Sequence, residues 1–270
     1  MPGDSRTAWL ANIRLHPVKG LDPVSVTEAR IGPNGGLELD RVWAMFSVDG
    51  EWINSKRTAL IHHIRAEYDA LVSMVTLSVS GDAQKSNGLK PAGFAFPADC
   101  EQAAAWFSEY FDQTVAVRHI PEGVPDDGLA PGPTIVSTAS LQKVSELFPD
   151  IDLNEVRERF RATLEIDGVP AFWEDQLFGG HENYPVRFKI GEVAFEGSNP
   201  CARCPVPARN PRTGEDLIGF QKNFSEMRRA CLPTTSPRAR FDHFYRLSTN
   251  TRVPGTEQGK LLRVGDALVL

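Results

Sequence analysis

Apolar and polar residues alternate in short runs along the first third of the chain, and each run ends in a turn signal. Trp9-Leu-Ala-Asn-Ile-Arg-Leu15 alternates in part and predicts a strand, with His16-Pro-Val-Lys-Gly20 as the turn behind it. Val24-Ser-Val-Thr-Glu-Ala-Arg-Ile31 alternates throughout and predicts a second strand, closed by the turn cluster Gly32-Pro-Asn-Gly-Gly36. Val42–Val48, the turn Asp49-Gly50 and the return run Glu51–Asn54 predict a hairpin. Short strands joined by tight turns point to a barrel or sandwich. Ala70–Val79 reads as one or two more strands, and 81–93 as a polar loop. His62 and His63 are adjacent, so on a strand they point to opposite faces and at least one is expected to be exposed.

The period then changes. Asp99-Cys-Glu-Gln102 has the form of a helix N-cap with Gln at the third position, and Ala103, Trp106, Phe107, Tyr110 and Phe111 follow on one helical face as core packing. Cys100 falls in the first turn, where a thiol can be acidified, but nothing chemical lies near it in sequence and it is expected to be structural. Thr114–Arg118 predicts a strand, and the Pro- and Gly-rich 121–133 a linker. Thr134-Ile-Val136 predicts a short strand running into Ser137-Thr-Ala-Ser140 and a helix. That geometry suits an anion, although an ordinary hydroxyl cap has the same pattern. Asp152-Leu-Asn-Glu155 predicts another capped helix, and 185–195 a hairpin. Leu217–Met227 is weakly helical. Arg228–Arg240 is basic, is broken by prolines and is expected as a surface loop. Phe241–Leu247 is a strand or core segment, and 259–270 is a turn between strands. The whole predicts a mainly β, barrel-rich α+β fold, divided into 8–120 and 121–270.

Composition narrows the function classes. The chain has 270 residues, 41% hydrophobic and 24% charged, as a globular protein has. A net charge of −6 argues against a broad nucleic-acid surface, though not against a local basic pocket. No apolar run reaches the ~20 residues needed to span a bilayer. Residues 1–6 lack the apolar core of a secretory signal. Four irregularly spaced cysteines do not form a disulfide framework, so a reduced, cytoplasmic setting without membrane association is expected.

Candidate chemistry gathers in Phe195–Glu215. Val193 and Phe195 lead in as the end of a strand. Cys201 and Cys204 follow with Arg203 between them, and Pro200 and Pro205 disfavour a helix across the pair. The cysteines therefore sit on a constrained loop leaving a strand, without the helix start that a thioredoxin-type pair uses. Structural zinc needs four ligands, and Cys100, Cys231, His181 and His243 offer no second pair. A thiolate beside Arg203 could instead bind one soft metal whose other ligands come from a cofactor.

Asn199-Pro-Cys-Ala-Arg-Cys204 followed by Asn210-Pro-Arg-Thr-Gly-Glu215 resembles the signature of MOSC domains, which are related to the C-terminal domain of molybdenum cofactor sulfurase. Pro17-Val18-Lys19, Asp40-Arg41-x-Trp43, the Asp49-Gly50 hairpin and Arg57 resemble the N-terminal β-barrel domain that often precedes it, and the Val-Gly-Asp ending fits as well. The resemblance implies a molybdenum-cofactor oxidoreductase acting on a small-molecule substrate by reducing N-hydroxylated compounds. Electrons would come from a separate iron–sulfur or flavin protein. It implies Cys204 as the metal ligand, Lys19, Arg41 and Arg161 on the phosphate or pterin, the turn at Ser137 and Ser140 beside them, and Arg203 holding the loop or favouring the thiolate. Pyridoxal phosphate binding is associated with the family only at large. The chain departs from the pattern in having Gly20 where relatives commonly have Ser, and Ala162-Thr163 where cofactor-binding members have Pro-Asn. Two rival readings stay open: a sulfur carrier with a persulfide on Cys204, and a non-catalytic cofactor-binding protein. Cys201 is either structural or a redox partner of Cys204.

Overall fold

The computed structural model describes residues 8–80, 88–125, 127–182 and 184–270. The expectations at 1–7 and at the start of the polar loop, 81–87, lie outside the described residues. In chain order the strands are β1 (Trp9–Leu15), β2 (Val24–Val26), β3 (Glu28–Arg30), β4 (Trp43–Ser47), β5 (Trp52–Ile53), β6 (Ile64–Tyr68), β7 (Met74–Val79), β8 (Ala92–Ala95) and β9 (Val115–His119). There follow β10 (Ile135–Ser137), β11 (Leu164–Asp167), β12 (Val186–Ile190), β13 (Val193–Ala202), β14 (Arg246–Arg252), β15 (Leu261–Arg263) and β16 (Leu268–Val269). The helices are α1 (Cys100–Phe111), α2 (Thr138–Leu147), α3 (Leu153–Phe160) and α4 (Phe220–Ala230). The fold is mainly β, as the alternation predicts.

Eight strands make one sheet in the order β16, β12, β13, β14, β10, β11, β1, β2. β10 and β11 run parallel, joined through α2 and α3, and the other pairs are antiparallel. The first strand thus pairs on one side with β11, from beyond residue 134, and on the other with β2. Its upper end also bonds the tail of the chain. Leu10 N donates to Asp266 O at 2.8 Å, Gly265 N to Leu10 O at 2.8 Å, and Leu268 N to Ala8 O at 2.7 Å. These bonds close the sheet into a barrel and leave fewer unpaired edges. Leu10, Ile13, Leu15, Ile135, Leu164, Ile166, Phe188 and Phe195 fill it. β1 alternates only in part because its pairing shifts between Leu10 and Asn12.

The run 24–31 is two strands, not one. β2 pairs with β1 and β3 with β15, so the chain changes partners at Thr27 while keeping its alternation. Around the middle of the first module, β5-β4-β9 and β6-β7-β8 form two small sheets against α1. The predicted α1 stripe, Ala103 to Phe111, packs there with Val18, Trp43, Ile61 and Phe94. Asp99 does not cap α1 with its side chain; its carboxylate accepts from Ala95 N at 2.7 Å. Burial, with Asp99 beside it, pushes the Cys100 thiol up rather than down. His62 and His63 are both buried, because Ala59–His63 is a 3-10 helix rather than part of a strand. Burial first, then Arg209, Arg161 and Arg65, holds His62 down at about 4.

α2, α3 and α4 pack as a helical layer around Val144, Val156, Phe160, Phe220 and Phe224. Asp152 accepts from Glu155 N at 2.8 Å, the cap its sequence predicts. The basic run from Arg228 is not all surface loop. α4 extends to Ala230, and Arg228 is buried, donating to Asp175 Oδ1 and Oδ2 at 2.6 and 2.5 Å and lying over Phe172. Among the described residues no helix is long and apolar enough to cross a membrane.

Candidate functional site

A cavity of about 430 Å³ opens where the cysteine-bearing end of β13, the C-terminal turn of α3 and the loops after β1 and β3 converge. Its size is that of a small-molecule or cofactor site. Lys19, Arg41, Arg161, Arg203, Cys201 and Cys204 all line it, from segments far apart in sequence.

Each cation is set by its backbone. Arg41 has φ 56° and Arg161 φ 51°; Arg161 caps α3 in the left-handed conformation, and its N–H closes on Arg157 O. Arg161 Nη2 donates to Leu21 O at 2.7 Å, which ties the end of α3 to the turn that carries Lys19. Arg41 Nη1 bonds Asp40 Oδ2 and reaches Thr163 Oγ1 at 3.5 Å, while Nη2 reaches Arg161 O at 3.4 Å. Lys19 Nζ donates to Val124 O at 3.0 Å. Burial pulls the Asp40 carboxyl up, but Arg41 and the His16 hydrogen bonds outweigh it and hold the group below its ordinary value. His16 is held well below its usual range by burial and by Arg161, against the pull of Asp40, so it stays neutral beneath the cations.

The departures from the family pattern have physical accounts. Gly20 has φ +95°, and a Cβ there would lie 2.8 Å from Ile61 Cδ1, so this backbone suits glycine and strains serine. Thr163 is buried, gives its backbone N–H to Thr134 Oγ1 at 3.1 Å, and faces Arg41 through its hydroxyl.

Arg203 acts on the cysteine loop. Nη1 donates to Cys201 Sγ at 3.1 Å and to Ser248 Oγ at 3.4 Å, Nη2 donates to Phe160 O, and the guanidinium lies 5.3 Å from the Phe160 ring centre. It therefore bolts the loop to α3. Arg159, to which sequence reasoning gave no role, does the same one turn on. Nη1 donates to Pro207 O and Arg209 O at 2.9 and 2.7 Å, while Nε and Nη2 hold Glu155 Oε1. The repeat Arg159-Phe-Arg161 at a helix end was its one sequence signal.

Ser137 and Ser140 do not line the cavity. Both are fully buried. Ser137 Oγ caps α2 by accepting from Ser140 N at 3.1 Å, and Ser140 Oγ donates to Glu174 Oε2 at 2.9 Å and accepts from Phe172 N at 2.6 Å. Every hydroxyl bond is spent inside the fold, so the ordinary cap describes this turn and the anion site does not. The proline-rich 121–133 segment, expected as a linker, is a cavity wall: Val124, Asp127, Ala130, Pro131 and Pro133 are among its lining. Gly132 lets it lie on β14, since a Cβ there would stand 2.6 Å from Thr251 Oγ1. Asn250 on β14 also lines the cavity and was missed. The signal available was the polar run Ser248–Thr251 inside a central strand, where all four residues are buried.

Among the described residues no three His, Cys, Asp or Glu side chains converge to hold a metal ion. A metal at Cys204 therefore calls for ligands from a bound group. The donor set, thiols with several cations, suits an anionic group carrying a soft metal.

A closed barrel joined to a second β module, with a cation-lined cavity at a cysteine loop, defines a class of two-module barrel proteins. Residues 7–114 match the MOSC N-terminal beta barrel domain and residues 133–269 match the MOSC domain. The chain belongs to the MOSC family. It is 24% identical over 266 residues to a molybdenum cofactor sulfurase from Danio rerio, covering 83% of this chain and 31% of that protein. A molybdenum cofactor sulfurase from Drosophila pseudoobscura pseudoobscura is 26% identical over 205 residues, covering 67% of this chain and 25% of that one. The chain thus spans less than a third of the length of these curated relatives. Among solved structures, the YuaD protein from Bacillus subtilis is similar with a TM-score of 0.40 and 10% identity, over 97% of this chain and 94% of that one. YiiM from Geobacillus stearothermophilus is similar with a TM-score of 0.33 and 14% identity, over 52% and 53%. Both structural likenesses are loose.

Proposed function

We propose that the chain binds the molybdenum cofactor and reduces the N–O bond of N-hydroxylated compounds. One observation carries the reading: Cys204 and the cations Lys19, Arg41 and Arg161, drawn from three separated motifs, line one cavity of cofactor size. Membership of the MOSC family and kinship with molybdenum cofactor sulfurases support it.

In this reading Lys19, Arg41 and Arg161 neutralise the cofactor's phosphate, and the Cys204 sulfur is the protein's ligand to the metal. Bound there, the cofactor supplies a two-electron couple, chemistry that side chains lack. The chain's own part is positional. Arg203 and Arg159 fix the cysteine loop to α3, Arg161 fixes α3 to the Lys19 turn, and Asp40 holds Arg41 in place. Overall, two electrons from an iron–sulfur or flavin protein and two protons from water break the N–O bond, leaving the reduced nitrogen compound and water.

The test is metal and phosphorus content after expression in a host that makes the cofactor. Near-stoichiometric molybdenum in the wild type, lost in Cys204→Ala, is expected. Wild type without molybdenum, beside a loaded control protein from the same host, would sink the reading.

A second reading has its own observation. Arg203 donates to the Cys201 sulfur, as suits a loop built to stabilise sulfur anions, and the relatives are named sulfurases. It makes the loop a sulfur carrier with a persulfide on Cys204. Sulfane sulfur on Cys204 in protein that lacks molybdenum would favour it.

A further inference from the structure

Between the end of α4 and the start of β14 lies a basic face that the cavity does not use. Arg229 and Arg238, both exposed, lie 5.1 and 4.6 Å from the centre of one ring, Phe244. Phe244 stacks on Phe241, Phe241 lies 6.1 Å from Phe178, and Arg240 lies over Phe178. Burial, against the pull of Glu182 and aided by Arg246, holds Arg240 below its ordinary value, so these three charges are neighbours. Asp242 pairs with Arg246 at 2.7 Å. Lys222 and Glu226, exposed earlier on α4, offset one another. Four arginines against Asp242 and Glu182 leave an excess of two positive charges, on a chain whose net charge is −6.

Hydrogen bonds join this face to the cysteine loop. Arg203 N donates to Tyr245 O at 3.0 Å, and Tyr245 stands between Phe244 and Arg246. Arg246 Nη1 donates to Pro200 O at 2.6 Å, and Arg240 Nη2 to Ser198 O at 3.0 Å. The face therefore stands about one strand spacing, ~5 Å, from the backbone that carries Cys201 and Cys204. Phe178, Phe241 and Phe244 are buried beneath the arginines, so the face offers a lipid interior no apolar side chain. Its border carries Tyr184, 74% exposed, which folds back against Gly179, and Arg240 Nη1 donates to Gly179 O at 2.9 Å. Arginine and tyrosine are the residue types that anchor protein interfaces. Ring contacts and bonds such as Arg238 Nη1 to Phe241 O, at 2.9 Å, set the charges in place and lower the entropy lost on docking.

We infer that this face docks the electron donor, an acidic iron–sulfur or flavin protein, behind the cysteine loop. This rests on the proposed reductase reading and deepens it. None of the four arginines lines the cavity, so donor and substrate are held at different places. The donor arrives reduced and leaves oxidised, and two electrons pass for each N–O bond broken.

The probe is a plant-type ferredoxin, an acidic iron–sulfur protein, and its affinity is measured by calorimetry. Wild type is expected to bind it about tenfold more weakly at about 0.15 M salt than at about 0.01 M, as the screening length falls from ~30 to ~8 Å. Arg229→Gln combined with Arg238→Gln is expected to lose about tenfold at low salt, at an unchanged unfolding midpoint. Arg263→Gln, an exposed arginine on β15 outside this face, is expected to lose nothing. Affinity indifferent to salt overturns the inference without any variant. So does undiminished affinity in the folded double variant. Binding to phosphatidylserine-containing vesicles, with none to ferredoxin, overturns it too and makes the face a lipid-headgroup site. Reduction of molybdenum-loaded protein separates this failure from that of the reductase reading. Dithionite should reduce wild type and double variant equally fast, while reduced ferredoxin should reduce the double variant about tenfold more slowly. Equal rates with ferredoxin remove the face and leave the reductase. Salt-sensitive ferredoxin binding, lost in the double variant, in protein that takes up no molybdenum leaves the face and removes the reductase.

Discussion

Glu174 turns the buried network behind the cavity into a pH experiment that needs no ligand. The residue is 1% exposed, Oε2 accepts from Ser140, and Oε1 has no hydrogen-bond partner among the described residues. Burial first, then the neighbouring Asp175 carboxylate, pushes its carboxyl from 4.5 up to about 7. In the unfolded chain the group ionises at its ordinary value. Between the two values the native state keeps a proton that the unfolded state has released, so stability falls as pH rises through that window. Below the window both states are protonated and the residue has no effect. Above it the native state must carry a buried charge. Each tenfold change in proton affinity is worth about 1.4 kcal/mol, so the full penalty is about 3 kcal/mol. Glu174→Gln keeps the size of the side chain and an oxygen for Ser140 while removing the titration. Urea unfolding of both proteins at about pH 5 and about pH 8 reads the effect directly. Part of the penalty is already present at pH 5, so the variant should gain about 2.5 kcal/mol on wild type between the two conditions. A difference that stays constant with pH would refute the account, because a packing effect does not follow protons.

Two further predictions concern the frame of the site. Gly20→Ser, which restores the residue common in relatives, should destabilise the protein by about 1–2 kcal/mol through its left-handed backbone; an unchanged thermal midpoint would show that the turn relaxes freely. Arg228→Met should cost about 3–5 kcal/mol in chemical denaturation because it strands Asp175 inside the helical layer. Adding Asp175→Asn should recover part of that loss, and no recovery would mean that packing against Phe172 and Phe241, not charge, was what Arg228 supplied.

How much was legible follows from how local each signal is. β1, β4, the α1 stripe and the Asp152 cap are written in periods and neighbours a few residues long, and they stand where the pattern puts them. The cysteine loop, Lys19, Arg41 and Arg161 could be picked out because short motifs mark them. The split of 24–31 could not be read, since alternation records that one face is buried and is silent about the partner. Ser137 and Ser140 misled because a helix cap and an anion cradle share one sequence. Arg228 misled because its partner, Asp175, lies far off in the chain. Asp127 sat in a stretch whose prolines and glycines describe a tether equally well, and only the contacts with Asn250 and Leu129 reveal a wall.

The interlacing of the first and last strands bears on how such a protein can be taken apart. Residues 8–31 donate Leu10, Ile13, Leu15, Ala29 and Ile31 to the barrel built mainly from the far end of the chain. The boundary drawn along the sequence near 120 is therefore not a seam in the solid. A fragment starting there would lack the stave between β11 and the closing segment 265–268, and its barrel interior would stand open to water. For protein engineering this means that the cysteine-bearing barrel cannot be grafted onto another scaffold as a single cassette. The first strand must travel with it, by circular permutation or as a supplied peptide, and the Lys19 turn rides along on the same piece.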